Sequence, residues 1–203
     1  NILGQNNSYH DSISLYSVSQ LYNSKKTNCE DMLLFNKGAI LLIRTPSIEI
    51  FKDFYLKSKN AIGNELGYGL VLKSVDYTIE DFKNINSIVT GASPIYLGQN
   101  KNSEERDHIT YLHGNEICSQ LLKQTIITKA KLLNYNININ DFNIEFDLSQ
   151  PIKTKLIKIG DVSNIATLGK VKITGDPNII GICYNVGLGL STGCGFGFIF
   201  NLK

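Results

Sequence analysis

What this sequence lacks narrows it first. Its four cysteines, Cys29, Cys118, Cys183 and Cys194, include no CxxC spacing, which argues against a zinc site or a disulfide framework and fits a reducing cytoplasm. No apolar run reaches membrane-spanning length, and no signal peptide stands at the start. Carboxylates do not cluster at metal-ligand spacing. Excess charge is scarce too: at a formal net charge of +2, a nucleic-acid partner has to be argued from where the lysines cluster.

What is present is a chain of 203 residues, 42% hydrophobic, enough to bury the core of one large domain or two small ones. Its densest feature is the run from Gly187 to Gly197, where five of the seventeen glycines (Gly187, Gly189, Gly193, Gly195 and Gly197) fall within eleven residues. Glycines admit positive φ and let backbone amides approach an oxygen-rich ligand, and Ser191 and Thr192 add hydroxyl donors. One glycine would serve a plain helix cap, and five exceed that need. Phosphate-backbone binding and tight packing both remain open. A nucleotide loop is the third reading, but its fingerprint should open a helix, and a strand-like segment follows here.

Taken in order, residues 12–22 carry the β-branched and aromatic content of a strand, and 23–31 form a polar loop with Lys25 and Lys26. Residues 38–45 read as a buried strand, 46–60 as a helix with Ile48, Phe51, Phe54 and Tyr55 at helical spacing, and 68–79 as a strand. After a polar linker at 80–86, strands are expected at 92–97, 142–148, 154–159 and 168–173, with helices at 115–133 and from Asp176-Pro177 onward. The fold class this predicts is α+β, two tandem ferredoxin-like (RRM-like) βαββαβ units. The first spans 1–86 and lacks its first strand and most of its first helix; the second spans 87–203 and carries the Gly-rich loop at 187–197. On the basic strand that ends at Lys158, Lys153 and Lys155 share one face, and Lys170 and Lys172 repeat the pattern on the next, so four ammonium groups would line a hairpin and hold phosphates without reading bases. Ordinary solvated strand lysines are the plainer alternative. His108 and His113, beside Arg106 and Tyr111, read as a surface loop or strand edge.

Two such units, ending in Gly-hydrophobic-Gly, five residues, Gly-hydrophobic-Gly, resemble the CRISPR-associated endoribonucleases of the sixth Cas family, within the RAMP superfamily. The segments 14–19, Gly91-Ala92-Ser93-Pro94-Ile95, 153–158, Gly175-Asp176-Pro177 and 186–193 look like family segments in family order. The resemblance implies a metal-independent endonuclease that needs no cofactor and cuts precursor CRISPR RNA within its repeats, in antiviral defence. The 2′-hydroxyl would attack the adjacent phosphate to leave a 2′,3′-cyclic phosphate and a 5′-hydroxyl. The repeat RNA is the implied partner; other CRISPR-associated proteins and a second copy of the chain are further partners the resemblance admits, and a membrane is not among them.

Such a reaction needs a base at the 2′-hydroxyl, an acid at the leaving oxygen and a cation or donors on the phosphate, and histidine suits either proton role near neutral pH. His10 stands where family members that use a catalytic histidine tend to carry it, with Tyr16 and Lys25 near enough in sequence to assist. A solvated turn histidine is the alternative. The expected RNA-binding residues are Lys153, Lys155, Lys158, Lys170, Lys172, Gly187, Gly189, Ser191, Thr192, Gly193, Gly195 and Gly197. A catalytically inactive RNA-binding scaffold subunit is the second reading of the whole chain, because a fold does not fix an activity.

Overall fold

The computed structural model describes residues 13–22, 25–26, 33–35, 38–67, 69–100 and 106–200. In its first part, strand β1 (Ser17–Val18) is followed by a small ladder of β2 (Lys25–Lys26) with β3 (Leu33–Leu34), and then by β4 (Ile43–Arg44), which returns antiparallel to β1. The Ser19 amide donates to the Leu42 carbonyl and that of Tyr22 to Ile40, so the pairing continues past β1. Helix α1 (Ile48–Asn60) starts where the Ser47 hydroxyl accepts from the Ile50 amide; Glu49 lies in its first turn and Lys57 and Lys59 in its last, each matching the helix dipole. It buries Ile50 and Phe54 against Tyr16, worth about 1.5–3 kcal/mol for each side chain removed from water.

The strand expected at 68–79 shrinks to a minimal hairpin of β5 (Glu65–Gly67) and β6 (Leu70–Val71). Beyond it, among the described residues, 72–86 joins no ladder. Ile79 is 91% exposed, Tyr77 makes edge contacts with Phe51 and Tyr55 of α1, and Phe82 and Ile85 pack against the main core.

The second part holds the main core. Strand β7 (Ser87–Gly91) is followed by the hairpin β8 (Leu97–Asn100) and β9 (Arg106–Ile109), helix α2 (Asn115–Leu132), β10 (Phe142–Phe146), the long hairpin β11 (Lys153–Ile159) and β12 (Val162–Leu168), β13 (Lys170–Gly175) and helix α3 (Pro177–Val186). Strands β10, β13 and β7 form one antiparallel sheet in that order. Ile199 bridges to Ala92 and the Phe200 amide donates to the Gly91 carbonyl, so the segment after the Gly-rich loop lies along the free side of β7. With the two hairpins set aside as insertions, this is the strand order of a βαββαβ unit. Alternate residues Ile88, Phe142, Ile144, Phe146, Val171 and Ile173 turn one sheet face toward Cys118, Leu122 and Ile126 of α2 and Ile180 and Cys183 of α3.

Two expectations change here. The strand placed at 92–97 is a crossing, in which Ala92, Ile95 and Tyr96 bridge singly to Ile199, Thr167 and Leu190. Pro94 lacks the amide that a continuous ladder would need. The strand placed at 168–173 is divided at Gly169, and the partner of β11 is β12, in a register running from Lys153 opposite Leu168 to Ile159 opposite Val162. Gly160, at φ +58, begins the two-residue turn between them, which suits a tight hairpin.

Candidate functional site

The Gly-rich loop grows directly from α3 and folds back on itself. The Gly187 amide donates to the Cys183 carbonyl at 2.9 Å, that of Leu188 to Gly197 at 2.9 Å, that of Leu190 to Tyr96 at 2.9 Å and that of Gly197 to Pro94 at 3.0 Å. The Ser93 hydroxyl donates to the Gly195 carbonyl and accepts from the Phe198 amide. Tight packing accounts for much of the glycine content. A Cβ on Gly189 would stand 2.5 Å from the Tyr96 carbonyl oxygen, and one on Gly197 would overlap the Leu188 carbonyl. Gly193 lies against the Tyr16 phenol, whereas the Cα of Gly195 faces open space.

At the tip, Ser191 takes left-handed angles (φ 54, ψ 34) and Thr192–Cys194 form a 3-10 turn. A left-handed residue followed by right-handed ones lines up successive amides in a concave run suited to an anionic oxygen. The Cys194 and Gly195 amides donate within the turn, and among the described residues those of Ser191, Thr192 and Gly193 have no protein acceptor.

Beneath the tip lies a buried ammonium. Lys129 of α2 is 1% exposed, and its Nζ donates to the Val186 carbonyl at 3.0 Å, the Gly187 carbonyl at 3.2 Å and the Thr192 hydroxyl at 3.2 Å. The Thr192 hydroxyl in turn donates to the Tyr16 carbonyl at 2.9 Å. Burial pushes the Lys129 pKa down to about 7. The Ser17 hydroxyl donates to the Asn185 carbonyl, so the residues around β1 hold both the end of α3 and the loop tip.

The flanks of the loop pack on the long hairpin: Tyr96, Ala166 and Phe196 form a buried cluster joined by Ile157 and Leu190. The His108 ring tilts against Tyr96 at 5.6 Å, and Tyr96 against Phe196 at the same distance; among the described residues the His108 Nδ1 has no hydrogen-bond partner. His108 stands on β9, an edge strand as expected, with its ring packed beside the loop. His113 is exposed, and its Nδ1 accepts from the Thr110 amide at 3.1 Å as a local cap.

Of the residues expected from sequence, Lys153, Lys155 and Lys158 are all exposed on β11. Lys170 and Lys172 are also exposed but belong to β13, which pairs with β10 and β7, so the four lysines expected to line one hairpin do not share it. Lys153 and Lys170 instead border a common groove of about 300 Å³, lined also by Gly91, Pro151, Ile152 and Gly169. Lys172 lies opposite Glu145 on one side and Val89 on the other. Tyr16 is 1% exposed with its ring edge-on to Phe54 at 5.1 Å, and burial raises its hydroxyl pKa. The backbone of Lys25 lies in β2, and His10 lies outside the described residues. Lys129 escaped the sequence reading, although Cys118, Leu122, Ile126, Lys129 and Leu133 follow one helical stripe, a signal that could have found it.

Among the described residues, no cluster of histidine, cysteine, aspartate and glutamate could hold a metal ion, and no helix is long and apolar enough to cross a membrane. Against known proteins, the family model described as CRISPR associated protein Cas6, C-terminal, matches residues 77–200. Among solved structures, one described as an RAMP protein binding different RNA substrates is 18% identical, with a TM-score of 0.74 over 93% of this chain and 80% of its own. A Cas6-related protein from Pyrococcus furiosus is also 18% identical, with a TM-score of 0.73 over 93% of this chain and 79% of its own. A Cas6 product complex has 12% identity and a TM-score of 0.63 over 95% of this chain and 84% of its own. These likenesses establish the double ferredoxin-like fold. No curated protein matches the sequence.

Proposed function

The chain belongs to the Cas6 family of CRISPR-associated proteins, and from that premise we propose that it binds CRISPR repeat RNA and cuts the precursor transcript without a metal ion. The observation that supports RNA binding most directly is the tip of the Gly-rich loop. Among the described residues the amides of Ser191 and Gly193 have no protein acceptor, and they lie between flanks that pack on a hairpin bearing three exposed lysines. Amides and ammonium groups are the donors that hold phosphates irrespective of base.

In this proposal the Ser191 and Gly193 amides and the Ser191 hydroxyl take one phosphate, and Lys153, Lys155, Lys158, Lys170 and Lys172 neutralise neighbouring ones; Thr192, expected to contact RNA, is fully buried and instead holds the turn. Gly187, Gly189, Gly195 and Gly197 give the loop its shape. His10 transfers the proton between the 2′-hydroxyl and the leaving 5′-oxygen, and Lys25 supplies charge to the phosphate. The atoms balance within the RNA: the 2′-oxygen forms a bond to phosphorus as the 5′-oxygen leaves and takes a proton. Tyr16, buried and with a raised pKa, stays protonated, and its place against Gly193 makes it a support of the loop.

The test is incubation of the chain with an RNA of one CRISPR repeat from its own genome, in EDTA. Cleavage to a 2′,3′-cyclic phosphate that His10→Ala abolishes, with binding retained, is the expected outcome. Tight binding with no cut would replace the enzyme by the scaffold reading. Cleavage unaffected by His10→Ala would remove His10 from the reaction and leave the family function in place.

A further inference from the structure

A lysine on a helix normally extends its charge into water, because an ammonium buried without a counter-ion costs several kcal/mol. Lys129 does the opposite. It lies on the apolar stripe of α2 behind Cys118, Leu122 and Ile126, and none of its three acceptors is a carboxylate. Each of its three N–H groups nonetheless has an acceptor: two carbonyls at the end of α3 and the Thr192 hydroxyl. The carbonyls sit at the negative end of the α3 dipole, which offsets part of the desolvation cost.

The acceptors define what the lysine does. Val186 and Gly187 stand where the chain leaves α3, and Thr192 opens the turn at the loop tip. One ammonium therefore joins the base of the loop to its tip from beneath. The Thr192 hydroxyl has a single proton and gives it to the Tyr16 carbonyl, so toward Lys129 it can only accept. The hydrogen-bond directions form one relay, from α2 through the loop tip to the segment that begins β1.

We propose that Lys129 is the positioning residue of the Gly-rich loop: with Thr192 it sets the spacing of the Ser191–Gly193 amides and locks them to the Tyr16 segment. RNA affinity then depends on a lysine that never touches RNA. The inference rests on the RNA-binding reading for its consequence and on the relay alone for its structural content.

The experiment compares the wild-type chain with Lys129→Met, which keeps the side-chain length and removes the donors, with Thr192→Val, and with the double variant. Two readouts are followed: affinity for an RNA of one CRISPR repeat from the same genome, and amide hydrogen exchange across 187–195. Each single variant is expected to weaken binding about tenfold or more, with faster exchange confined to the loop. The double variant should be no weaker than either single one, because both break the same relay. Lysine-to-methionine replacement of a buried charge is often neutral or stabilising, so a fall in affinity without a fall in melting temperature separates positioning from general damage. Wild-type affinity and loop protection in Lys129→Met would overturn the proposal, as would losses in the two singles that simply add in the double. If the wild-type chain bound no RNA, the functional reading would fall, while the exchange comparison would still decide whether Lys129 holds the loop. If Lys129→Met does not fold, Thr192→Val carries the same comparison.

Discussion

The Arg44 guanidinium lies over the Tyr184 ring, 3.7 Å from its centroid, which brings a strand of the first half of the chain against a helix of the second. Phe198 closes the other contact at 4.3 Å, and the guanidinium also donates to the Ile199 carbonyl. Burial lowers the Arg44 pKa, with Tyr184 and Glu80 acting against that shift.

The first prediction concerns this contact. Arg44→Met keeps the aliphatic stem and removes the charge, so two aromatic faces lose their cation and the Ile199 carbonyl loses a donor. A loss of about 2–4 kcal/mol in unfolding free energy is expected, read by urea denaturation. A loss under about 0.5 kcal/mol would mean that the two halves are held by other contacts.

The second separates two glycines of one motif. Gly197→Ala sets a methyl group against the Leu188 carbonyl at positive φ, and should cost about 3 kcal/mol or more. Gly195→Asn puts a side chain that tolerates left-handed angles into open space, and should stay within about 1 kcal/mol of wild type. Equal melting temperatures for the two variants would refute the packing account.

A third follows from the lysines. If Lys153, Lys155 and Lys158 each neutralise one phosphate, every Lys→Gln change should flatten the plot of log affinity against log salt by about one. Lys52, exposed on α1, serves as the control and should leave the slope unchanged.

A fourth uses pH. The folded pKa of Lys129 is about 7, against 10.5 for a free lysine, so between those values the unfolded chain binds the extra proton and stability rises with pH. The cost of the buried charge is fully present below that window. Cys183 of α3, whose thiol is pushed up to about 12, and Tyr16 beyond Thr192, also raised, remain neutral across most or all of it. In urea titrations below, within and above the window, Lys129→Met should lack this rise. An identical pH profile for both chains would place the lysine in contact with water.

Much of the second unit was readable because its elements obey their periods: Phe142, Ile144 and Phe146 alternate, and α2 repeats apolar residues at helical spacing. Strand β12 was missed because Ser163 and Asn164 resemble a loop, and only pairing with β11 makes them a strand. The single bridges at 92–96 depend on residues more than 70 positions away, which no local pattern encodes. At the site, the glycines announced the loop, but sequence did not separate the glycines that pack from the amides that remain open. Lys129 was hidden by its own chemistry, since composition alone assigns a lysine to the surface.

The pairing of Phe200 with Gly91 also has a meaning in time. During synthesis β7 emerges early, and its outer edge has no neighbour until residues 196–200 have left the ribosome. The Gly-rich loop is tied by Gly197 to Pro94 and by Leu188 to Gly197, so it takes shape only when residues 196–200 dock. A nascent chain would thus expose the β11–β12 hairpin before the Gly-rich loop had taken shape.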